Sequence, residues 1–363
     1  MAGTDRLFRD PSCFFVVFLV KSALFTDHAG SPPVGHERLD HFMARANAIY
    51  YATHDPFANF TTSPEISQVF GEIIGLWAAV TWGLLGSPNP IALVEAGPGR
   101  GTLMADALRA IRRAAPGFAA ALSVHLIETS PRLRATQALR IPDATWHDDL
   151  TTVPNRPMIL LANEFLDALP IRQFVRRGSG WTERVVAAGN WVEQPADLAR
   201  VPGGRITTEG DIVEVNEPAR GFVAAVAARV QRHPSVALFL DYGTERSAAG
   251  DSLQALADKR PVNPLSPPGS ADLTAHVDFA DLAEVARTLG ATVQGPWPQG
   301  PFLTALGLFQ RTDRLARNRP PEQAAALVES ASRLAEPEAM GQLFKVMAVC
   351  PVACPPLPGL PLI

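Results

Sequence analysis

The sequence contains few cysteines and no run of basic residues, and these absences exclude several classes of protein. Its three cysteines, Cys13, Cys350 and Cys354, form no CxxC pair and are too few for a disulfide framework, so they indicate a reducing compartment. The eight histidines contain no HxxxH or HExxH spacing, so we expect no metal site. The net charge of −4 and the scattered basic residues predict no binding to nucleic acid.

Long hydrophobic runs are also missing. The apolar run CFFVVFLV, residues 13–20, is far shorter than the roughly 20 residues that span a bilayer. No cleavage site of the A-x-A kind clearly follows it, which argues against a targeting signal. We expect instead that the run is a strand docked on the domain or results from an incorrectly assigned start codon. We therefore expect no stable membrane insertion. The 363 residues, 47% of them hydrophobic, suffice for one large domain or two smaller ones.

From Ile91 onward, short apolar runs alternate with helix-like segments. This pattern is typical of an α/β protein whose parallel sheet is buried on both faces. It predicts strands at 91–96, 123–128, 145–148, 158–163, 236–241 and near 291–294, and helices at 101–114, 131–139, 218–232 and 279–289. Ligands of such sheets bind beyond the carboxyl ends of the strands, and most of these strands end in acidic or amide residues.

Four regions differ in pattern and suggest the organisation of the chain. Residues 1–35 form an extension of uncertain order, and 36–88 a helical segment that covers the active face, with Ser63 as N-cap and Pro64 as first residue of a long helix. Residues 89–349 form the α/β domain, with antiparallel hairpins inserted at about 171–210 and a loop at 250–275. The Pro-rich tail, 350–363, is expected to be frayed.

The stretch ALVEAGPGRGTLMADALRAIRR places a glycine-rich turn between a strand and a helix. Glycine permits positive φ and a close approach of the backbone to a ligand. Dinucleotide, flavin and nucleoside cofactors all use such turns, but the spacing is neither G-x-G-x-x-G nor a P-loop. E-x-G-x-G-x-G without a diphosphate cradle favours S-adenosylmethionine, with Glu95 facing the ammonium or sulfonium; a purely structural turn is the alternative. The predicted cofactor contacts here are Glu95, Gly97, Pro98, Gly99 and Gly101.

Two further strand ends carry candidate cofactor ligands. Glu128, in HLIETS, can accept hydrogen bonds from both ribose hydroxyls, although it can also cap the helix that begins at Pro131. In WHDDL, Asp148 or Asp149 ends the third strand, where adenine is expected, and we favour Asp149.

The segment LLANEFLDALP places Asn163, Glu164 and Asp167 directly after a buried strand. Methyl transfer is an in-line displacement, so an enzyme contributes mainly positioning and electrostatics. We predict that Asn163 contacts the cofactor, while Glu164 and Asp167 hold an amine or guanidinium and stabilise its developing charge. The alternative is a helix N-terminus with acidic residues. His276, in DLTAHVDF, is a third catalytic candidate that orients a carboxylate or lines the substrate path, unless it is structural.

Seven blocks of the sequence, in order, resemble the MidA-type methyltransferases. The blocks are FTTSPEISQVFGEIIGLW, VEAGPGRGTLMADALR, IETSPRLRATQ, LANEFLDALPIRQF, DYG, ADLTAHVDFADLA and MGQLFKVM, which span about 40–347. The resemblance implies a seven-stranded Rossmann-like methyltransferase sheet, S-adenosylmethionine as cofactor, S-adenosylhomocysteine as product, and an arginine of a respiratory complex I subunit as acceptor. It implies a location in the bacterial cytoplasm or the mitochondrial matrix, and leaves the oligomeric state open.

Two other functions remain open on the sequence. The first keeps the cofactor and changes the acceptor to a small molecule or another side chain. The second is a non-catalytic assembly chaperone with the same fold. The loop before Thr61, DPFANF, is shorter than the loop that the MidA-type family carries there, which favours the chaperone, whereas the cluster of Asn163, Glu164 and Asp167 opposes it.

Overall fold

The computed structural model describes residues 35–54, 61–201 and 207–361, which form an α/β fold around a large sheet. The strands and helices are β1 (His36–Arg38), α1 (Leu39–Thr53), α2 (Ser63–Ile66), α3 (Gln68–Leu84), β2 (Ile91–Ala96), α4 (Thr102–Ala114), α5 (Pro116–Ala121), β3 (Leu122–Ile127), α6 (Pro131–Arg140), β4 (Thr145–His147), β5 (Met158–Asn163), β6 (Arg172–Arg177), β7 (Gly180–Ala187), β8 (Asn190–Pro195), β9 (Ile212–Val215), α7 (Glu217–Val230), β10 (Val236–Thr244), β11 (Gln254–Ala257), β12 (Arg260–Val262), β13 (Asp272–Thr274), β14 (Val277–Asp278), α8 (Phe279–Thr288), β15 (Thr292–Pro298), α9 (Gln299–Ala305), α10 (Leu308–Ala316), α11 (Pro321–Ala335) and β16 (Phe344–Cys350).

The central sheet contains eight of these strands. Seven lie in the order β15-β16-β10-β5-β2-β3-β4, and the two-residue strand β14 pairs with β10. Strands β4, β3, β2, β5 and β10 run parallel, whereas β16 is antiparallel to both β10 and β15. The α/β class and a large sheet with a parallel centre are therefore confirmed, because the apolar runs that predicted β2 and β5 are buried along their whole length.

Both faces of the central sheet are covered by helices. Alternating side chains divide between two cores: Leu93 and Leu161 belong to the core that includes α3 and α4, whereas Val94 and Leu160 belong to the core that includes α7 and α8. A sheet buried on both faces leaves only its edges and strand ends open to a ligand.

A second sheet lies where the sequence predicts inserted hairpins. Its order is β1-β7-β6-β9, with β8 beside β7, and every pair in it is antiparallel. Helix α1 packs on it through a third core, in which Leu39 and Met43 join Val186 and Leu273. This arrangement brings α1 against β13 and beside the segment that follows β5, where Asn47 Nδ2 donates to the Ala168 carbonyl at 3.2 Å.

The long helix expected to begin at Pro64 is broken in two. Ser67 is extended, with φ −152° and ψ 130°, and separates α2 from α3. Its hydroxyl accepts a hydrogen bond from the Val69 amide at 3.2 Å. Ser67 therefore caps the long helix, and the prediction that Ser63 is the N-cap was wrong, because Ser63 is the first residue of the short helix α2.

Two segments expected to lack structure are ordered. The loop predicted at 250–275 contains β11, β12 and β13, which form a small sheet in the order β12-β11-β13. The tail expected to be frayed packs on the core: Leu357 and Leu360 are buried, and the carbonyl of Pro358 accepts a hydrogen bond from Trp77 Nε1 at 3.2 Å. The segment 1–34, including the apolar run and Cys13, lies outside the described residues.

Candidate active site

The polar strand ends predicted from the sequence meet at one edge of the central sheet. Strands β2 and β5 pair with Glu95 opposite Leu161, and β5 pairs with β10 with Asn163 opposite Leu240. Glu164 then continues the ladder, since its amide donates to the Leu240 carbonyl at 2.8 Å. Parallel strands thus bring residues that are far apart in the sequence to one edge.

The glycine-rich turn adopts the backbone conformation that glycine permits. Gly97, Gly99 and Gly101 all have positive φ, at 65°, 53° and 77°. The Gly101 amide closes the turn on the Pro98 carbonyl at 2.7 Å, and α4 starts at the next residue. A Cβ at Gly97 would lie 2.8 Å from Phe165 Cδ2, so no side chain fits there. The turn presents bare backbone next to the segment that follows β5.

Glu95 lies beneath this turn with one oxygen unused. It is buried, and its Oε2 has no hydrogen-bond partner. Burial raises the pKa of Glu95 to about 8, against a hydrogen bond from the Met104 amide that lowers it. A buried acceptor without a donor is costly unless a ligand supplies one. The ammonium or sulfonium end of S-adenosylmethionine is cationic, so Glu95 fits that cofactor.

Glu128 is connected to the glycine turn. Its Oε1 accepts from the Ser130 amide at 2.7 Å, and its Oε2 from Gln137 Nε2 at 3.3 Å. The same Gln137 nitrogen donates to the Gly99 carbonyl at 2.7 Å. Burial raises the pKa of Glu128. Glu128 therefore orders the start of α6, which is capped by Ser130, while it stays beside the turn; the ribose contact remains a prediction.

The two aspartates after β4 have different surroundings. Asp148 is exposed and pairs with Arg134 at 2.8 Å. Asp149 Oδ1 accepts from the Thr151 amide at 2.7 Å and caps the short 3₁₀ turn Leu150–Thr152. Asp149 thus has a local structural role at the carboxyl end of β4, and its contact with adenine stays a prediction.

Glu164 is held in a conformation that is unusual for a residue with a side chain. Its φ is 49°, in the left-handed region. Its Oε1 accepts from the Ser63 amide at 2.8 Å and from Asn163 Nδ2 at 3.0 Å. Because Asn163 directs its nitrogen at this carboxylate, its Oδ1 remains as an acceptor, and that atom is buried without a partner. Burial raises the pKa of Glu164.

Asp167 is buried in the same loop, and its Oδ1 also has no hydrogen-bond partner. The loop is shaped by Asp241, whose Oδ2 accepts from the amides of Phe165, Leu166 and Asp167 at 2.9 to 3.2 Å. Burial, followed by the neighbouring charges of Asp241 and Asp272, raises the pKa of Asp167 well above its usual value. The structure therefore brings Glu164 and Asp167 together within an acidic, buried loop.

His276 lies further out than these carboxylates. Its ring meets the ring of Tyr242 edge-on, with 5.3 Å between the centroids, and its amide donates to Ser252 Oγ at 2.9 Å. It lines a cleft of about 490 Å³ together with Gln254 and Thr244. Burial lowers the pKa of His276. The structure thus places His276 in this cleft beside Tyr242, and its catalytic role stays a prediction.

Several residues of this site were missed as candidates. The sequence marks Asp241 only as the last residue of the predicted strand 236–241, although its carboxylate holds the loop that contains Asp167. Tyr51, Tyr242 and Asp272 have no role assigned from the sequence, yet the Tyr51 hydroxyl donates to Asp272 Oδ1 at 2.8 Å, and burial together with the charge of Asp167 raises the pKa of Tyr242. The motif DYG in the sequence was a usable signal for Asp241 and Tyr242, whereas nothing in the pattern of α1 marked Tyr51.

The described parts of the chain contain no group of three or more histidine, cysteine, aspartate or glutamate side chains suited to a metal ion. Within those same parts, no helix has the length and apolar character needed to cross a membrane.

Comparison with known proteins identifies the family to which the chain belongs. Residues 73–297 match the family model of S-adenosyl-L-methionine-dependent methyltransferases named Methyltransf_28, and the chain belongs to this family. It is an S-adenosylmethionine-dependent methyltransferase, as the resemblance of the seven sequence blocks implies.

Two relatives with similar sequences are named as protein arginine methyltransferases. The chain is 32% identical to the protein arginine methyltransferase NDUFAF7 homolog, mitochondrial, of Drosophila melanogaster, over 89% of this chain and 82% of that protein. It is 31% identical to protein arginine methyltransferase NDUFAF7, mitochondrial, of Homo sapiens, over 83% and 76%.

Two crystal structures from Burkholderia thailandensis have the same fold. One, an uncharacterized COG1565 superfamily protein, superposes with a TM-score of 0.74 at 28% identity, covering 90% of each chain. The other, a COG1565 superfamily member and methyltransferase candidate bound to S-adenosylhomocysteine, superposes with a TM-score of 0.72 at 24% identity, again over 90% of each chain.

Proposed function

We propose that this methyltransferase transfers the methyl group to arginine nitrogens of a protein, and that the acceptor is a subunit of respiratory complex I. Its similarity to proteins named arginine methyltransferase NDUFAF7 supports this acceptor class. The observation that carries the proposal is Asp167 Oδ1, a buried acceptor without a donor in the loop that also contains Glu164. A guanidinium offers five N–H donors and a positive charge. It would therefore supply the hydrogen-bond donors that this acidic loop lacks.

The cofactor fits the inner part of this edge. The backbone of Gly97, Pro98, Gly99 and Gly101 would lie against its amino-acid portion, with Glu95 and Asn163 near its charged groups. Glu128 would accept from the ribose hydroxyls and Asp149 would face the adenine. When bound, S-adenosylmethionine supplies an activated methyl group on a sulfonium.

The acceptor arginine is then placed by the outer carboxylates. Glu164, fixed by Ser63 and Asn163, orients the guanidinium and stabilises the charge that develops on the attacked nitrogen. Asp167 lies beside it with Oδ1 available for the proton that this nitrogen must lose. His276 lines the path by which the acceptor chain approaches. A eukaryotic enzyme with this role would work in the mitochondrial matrix, and a bacterial one in the cytoplasm.

The acceptor class is tested with methyl-labelled S-adenosylmethionine and matched peptides in which a single arginine is replaced by lysine. We expect label only in the arginine peptide, recovered as methylarginine after hydrolysis. Mass spectrometry of complex I subunits from a strain that lacks the gene should then identify a missing methylation. Label on lysine or on a small molecule would support a different acceptor, and donor binding without any transfer would support a chaperone.

A further inference from the structure

Two residues of the glycine-rich turn are held by one carboxylate of the short helix α2. Glu65 Oε1 accepts a hydrogen bond from the Thr102 hydroxyl at 2.5 Å, and Glu65 Oε2 lies 3.9 Å from Arg100 Nη1. Arg100 stands between Gly99 and Gly101, and Thr102 directly follows them as the first residue of α4. Glu65 therefore binds the turn from outside, through side chains, and leaves the backbone of the glycines to a ligand.

The Thr102 hydroxyl has a fixed direction. Arg140 Nη1 donates to Thr102 Oγ1 at 2.5 Å. A guanidinium can only donate, so the single proton of the hydroxyl is left for the Glu65 carboxylate. Hydrogen bonds to a carboxylate are stronger than those between neutral groups, whereas a long and partly exposed ion pair such as Arg100–Glu65 contributes little. The Thr102 hydroxyl is therefore the main link between α2 and the turn.

The same short helix also holds Glu164. The Ser63 amide donates to Glu164 Oε1 at 2.8 Å, and Ser63 is fully buried. The Glu65 amide donates to the Thr62 carbonyl at 2.9 Å, which closes one turn of chain around Ser63. The extended residue Ser67 separates this turn from α3, so a shift of α2 need not move the long helix. A single turn of chain thus connects the glycine-rich turn with the Glu164 carboxylate.

We infer that Glu65 is a positioning residue, which ties the conformation of the glycine-rich turn to the position of the Glu164 carboxylate through α2. The inference rests on the proposed function, in which the turn holds the methyl donor and Glu164 orients the acceptor. A donor that orders the turn thereby also fixes Glu164, so donor and acceptor bind cooperatively. By linkage, the acceptor tightens donor binding by the same factor.

Hydrogen exchange tests the link without any acceptor. When S-adenosylhomocysteine saturates the wild type, we expect slower exchange in the turn, 97–102, and also in α2, whose first amide bonds to Glu164. Glu65→Ala removes both contacts to the turn, so protection should remain in the turn and be lost in α2. Glu65→Gln keeps an oxygen for Thr102 and should retain the protection of α2. Thr102→Val removes the same hydrogen bond from the other side and should behave as Glu65→Ala.

The affinity for an arginine peptide, measured by calorimetry with and without S-adenosylhomocysteine, gives a second readout. Saturating S-adenosylhomocysteine should tighten peptide binding at least about fivefold in the wild type and less than about twofold in Glu65→Ala. Glu72→Ala is the matched control. Glu72 lies in α3 and also bonds to α4, through Arg109 Nη2 at 3.0 Å, but about two helical turns beyond Thr102. Glu72→Ala should lose stability and keep the coupling of the wild type.

Three results would overturn the inference: α2 is not protected in the wild type, its protection survives in Glu65→Ala, or the coupling is equal in these two proteins. If Glu65→Ala does not fold, Thr102→Val and Glu65→Gln decide. A wild type that binds S-adenosylhomocysteine but neither binds nor methylates the arginine peptide would instead contradict the proposed function. The exchange of α2 would then still show whether Glu65 connects the turn with Glu164.

Discussion

Gly97 is the residue at which the glycine turn is most crowded. Its φ of 65° is strained for any other residue, and a Cβ there would approach Phe165 to 2.8 Å. Phe165 cannot withdraw easily, because its ring packs against the ring of Phe222, with 5.1 Å between the centroids, and its amide donates to Asp241 Oδ2 at 3.1 Å. The glycine therefore couples the shape of the cofactor turn to the loop that carries Glu164 and Asp167.

Gly97→Ala should weaken binding of S-adenosylmethionine at least about tenfold, since a clash displaces backbone that touches the ligand. Gly178→Ala is a matched control, because Gly178 has a φ of 54° but no atom within 4 Å of a built Cβ. Both variants should lose about 1 kcal/mol of stability from the left-handed conformation. Only Gly97→Ala should lose donor affinity in calorimetry; equal affinity in both variants would remove this turn from the cofactor site.

The residues of the site differ in how far the sequence predicted them. Glu95, Asn163, Glu164 and Asp167 could be predicted because each follows or ends a strongly apolar strand. Tyr51 and Asp272 could not, because they reach the site through packing between α1 and β13, which are 221 residues apart at the Tyr51–Asp272 hydrogen bond. No local pattern encodes such a contact.

At the level of elements, strands β3 and β4 are joined by hydrogen bonds through two buried histidines. His125 Nδ1 lies 2.9 Å from His147 Nε2, Ser123 Oγ lies 2.9 Å from His125 Nε2, and Thr152 Oγ1 lies 3.0 Å from His147 Nδ1. Burial lowers the pKa of His125 to about 4, and it also lowers the pKa of His147. Both rings are therefore neutral in the folded protein at pH 7.

The two buried histidines predict that the protein loses stability in acid. Below its ordinary pKa of about 6.5, His125 gains a proton in the unfolded state before it does so in the folded state, so the free energy of unfolding falls until about pH 4. The loss from His125 should be on the order of 3 kcal/mol. His125→Asn should show a smaller decrease than the wild type in urea unfolding between pH 7 and pH 4, whereas the control His233→Asn should follow the wild type. Parallel curves for the wild type and His125→Asn would contradict this explanation.

The strands and helices could be predicted where the periodicity of apolar residues is strong. Strands β2 and β5 have the predicted bounds, and α4 begins one residue after its predicted start. The strands that the sequence does not predict share one property. Strands such as β11 and β12 are three or four residues long and half-buried or exposed, so they carry too little apolar alternation to be recognised.

On the scale of the whole molecule, the C-terminal tail closes one of the two main cores. Leu357 and Leu360 belong to the core on the α3 and α4 side of the sheet. Gln294 accepts from the Leu357 amide at 2.8 Å and donates to the Pro355 carbonyl at 3.0 Å. A Pro-rich composition predicted fraying, but prolines do not prevent packing where two leucines are buried and side chains satisfy the backbone.

Ending the chain after Cys354 should therefore destabilise the protein by about 2–5 kcal/mol, the scale for removing two buried leucines and their hydrogen bonds. The unfolding midpoint in urea, followed by tryptophan fluorescence, measures the effect, because Trp77 bonds to Pro358. Val352→Ser changes an exposed position of the same tail and should leave the midpoint nearly unchanged. A truncated chain as stable as the wild type would show that the tail is dispensable.

The most direct measurement compares the wild type with Glu164→Gln in methyl transfer to an arginine acceptor, with donor binding measured alongside. Glutamine keeps an oxygen for the Ser63 amide and Asn163, so the loop should stay in place while the negative charge is lost. We expect unchanged donor affinity and a rate reduced about 10²–10³-fold, because the missing interaction is strongest in the transition state. The surface variant Glu193→Gln should keep full activity. Full activity in Glu164→Gln, or a loss of donor binding equal to the loss of rate, would contradict the role of this carboxylate in methyl transfer.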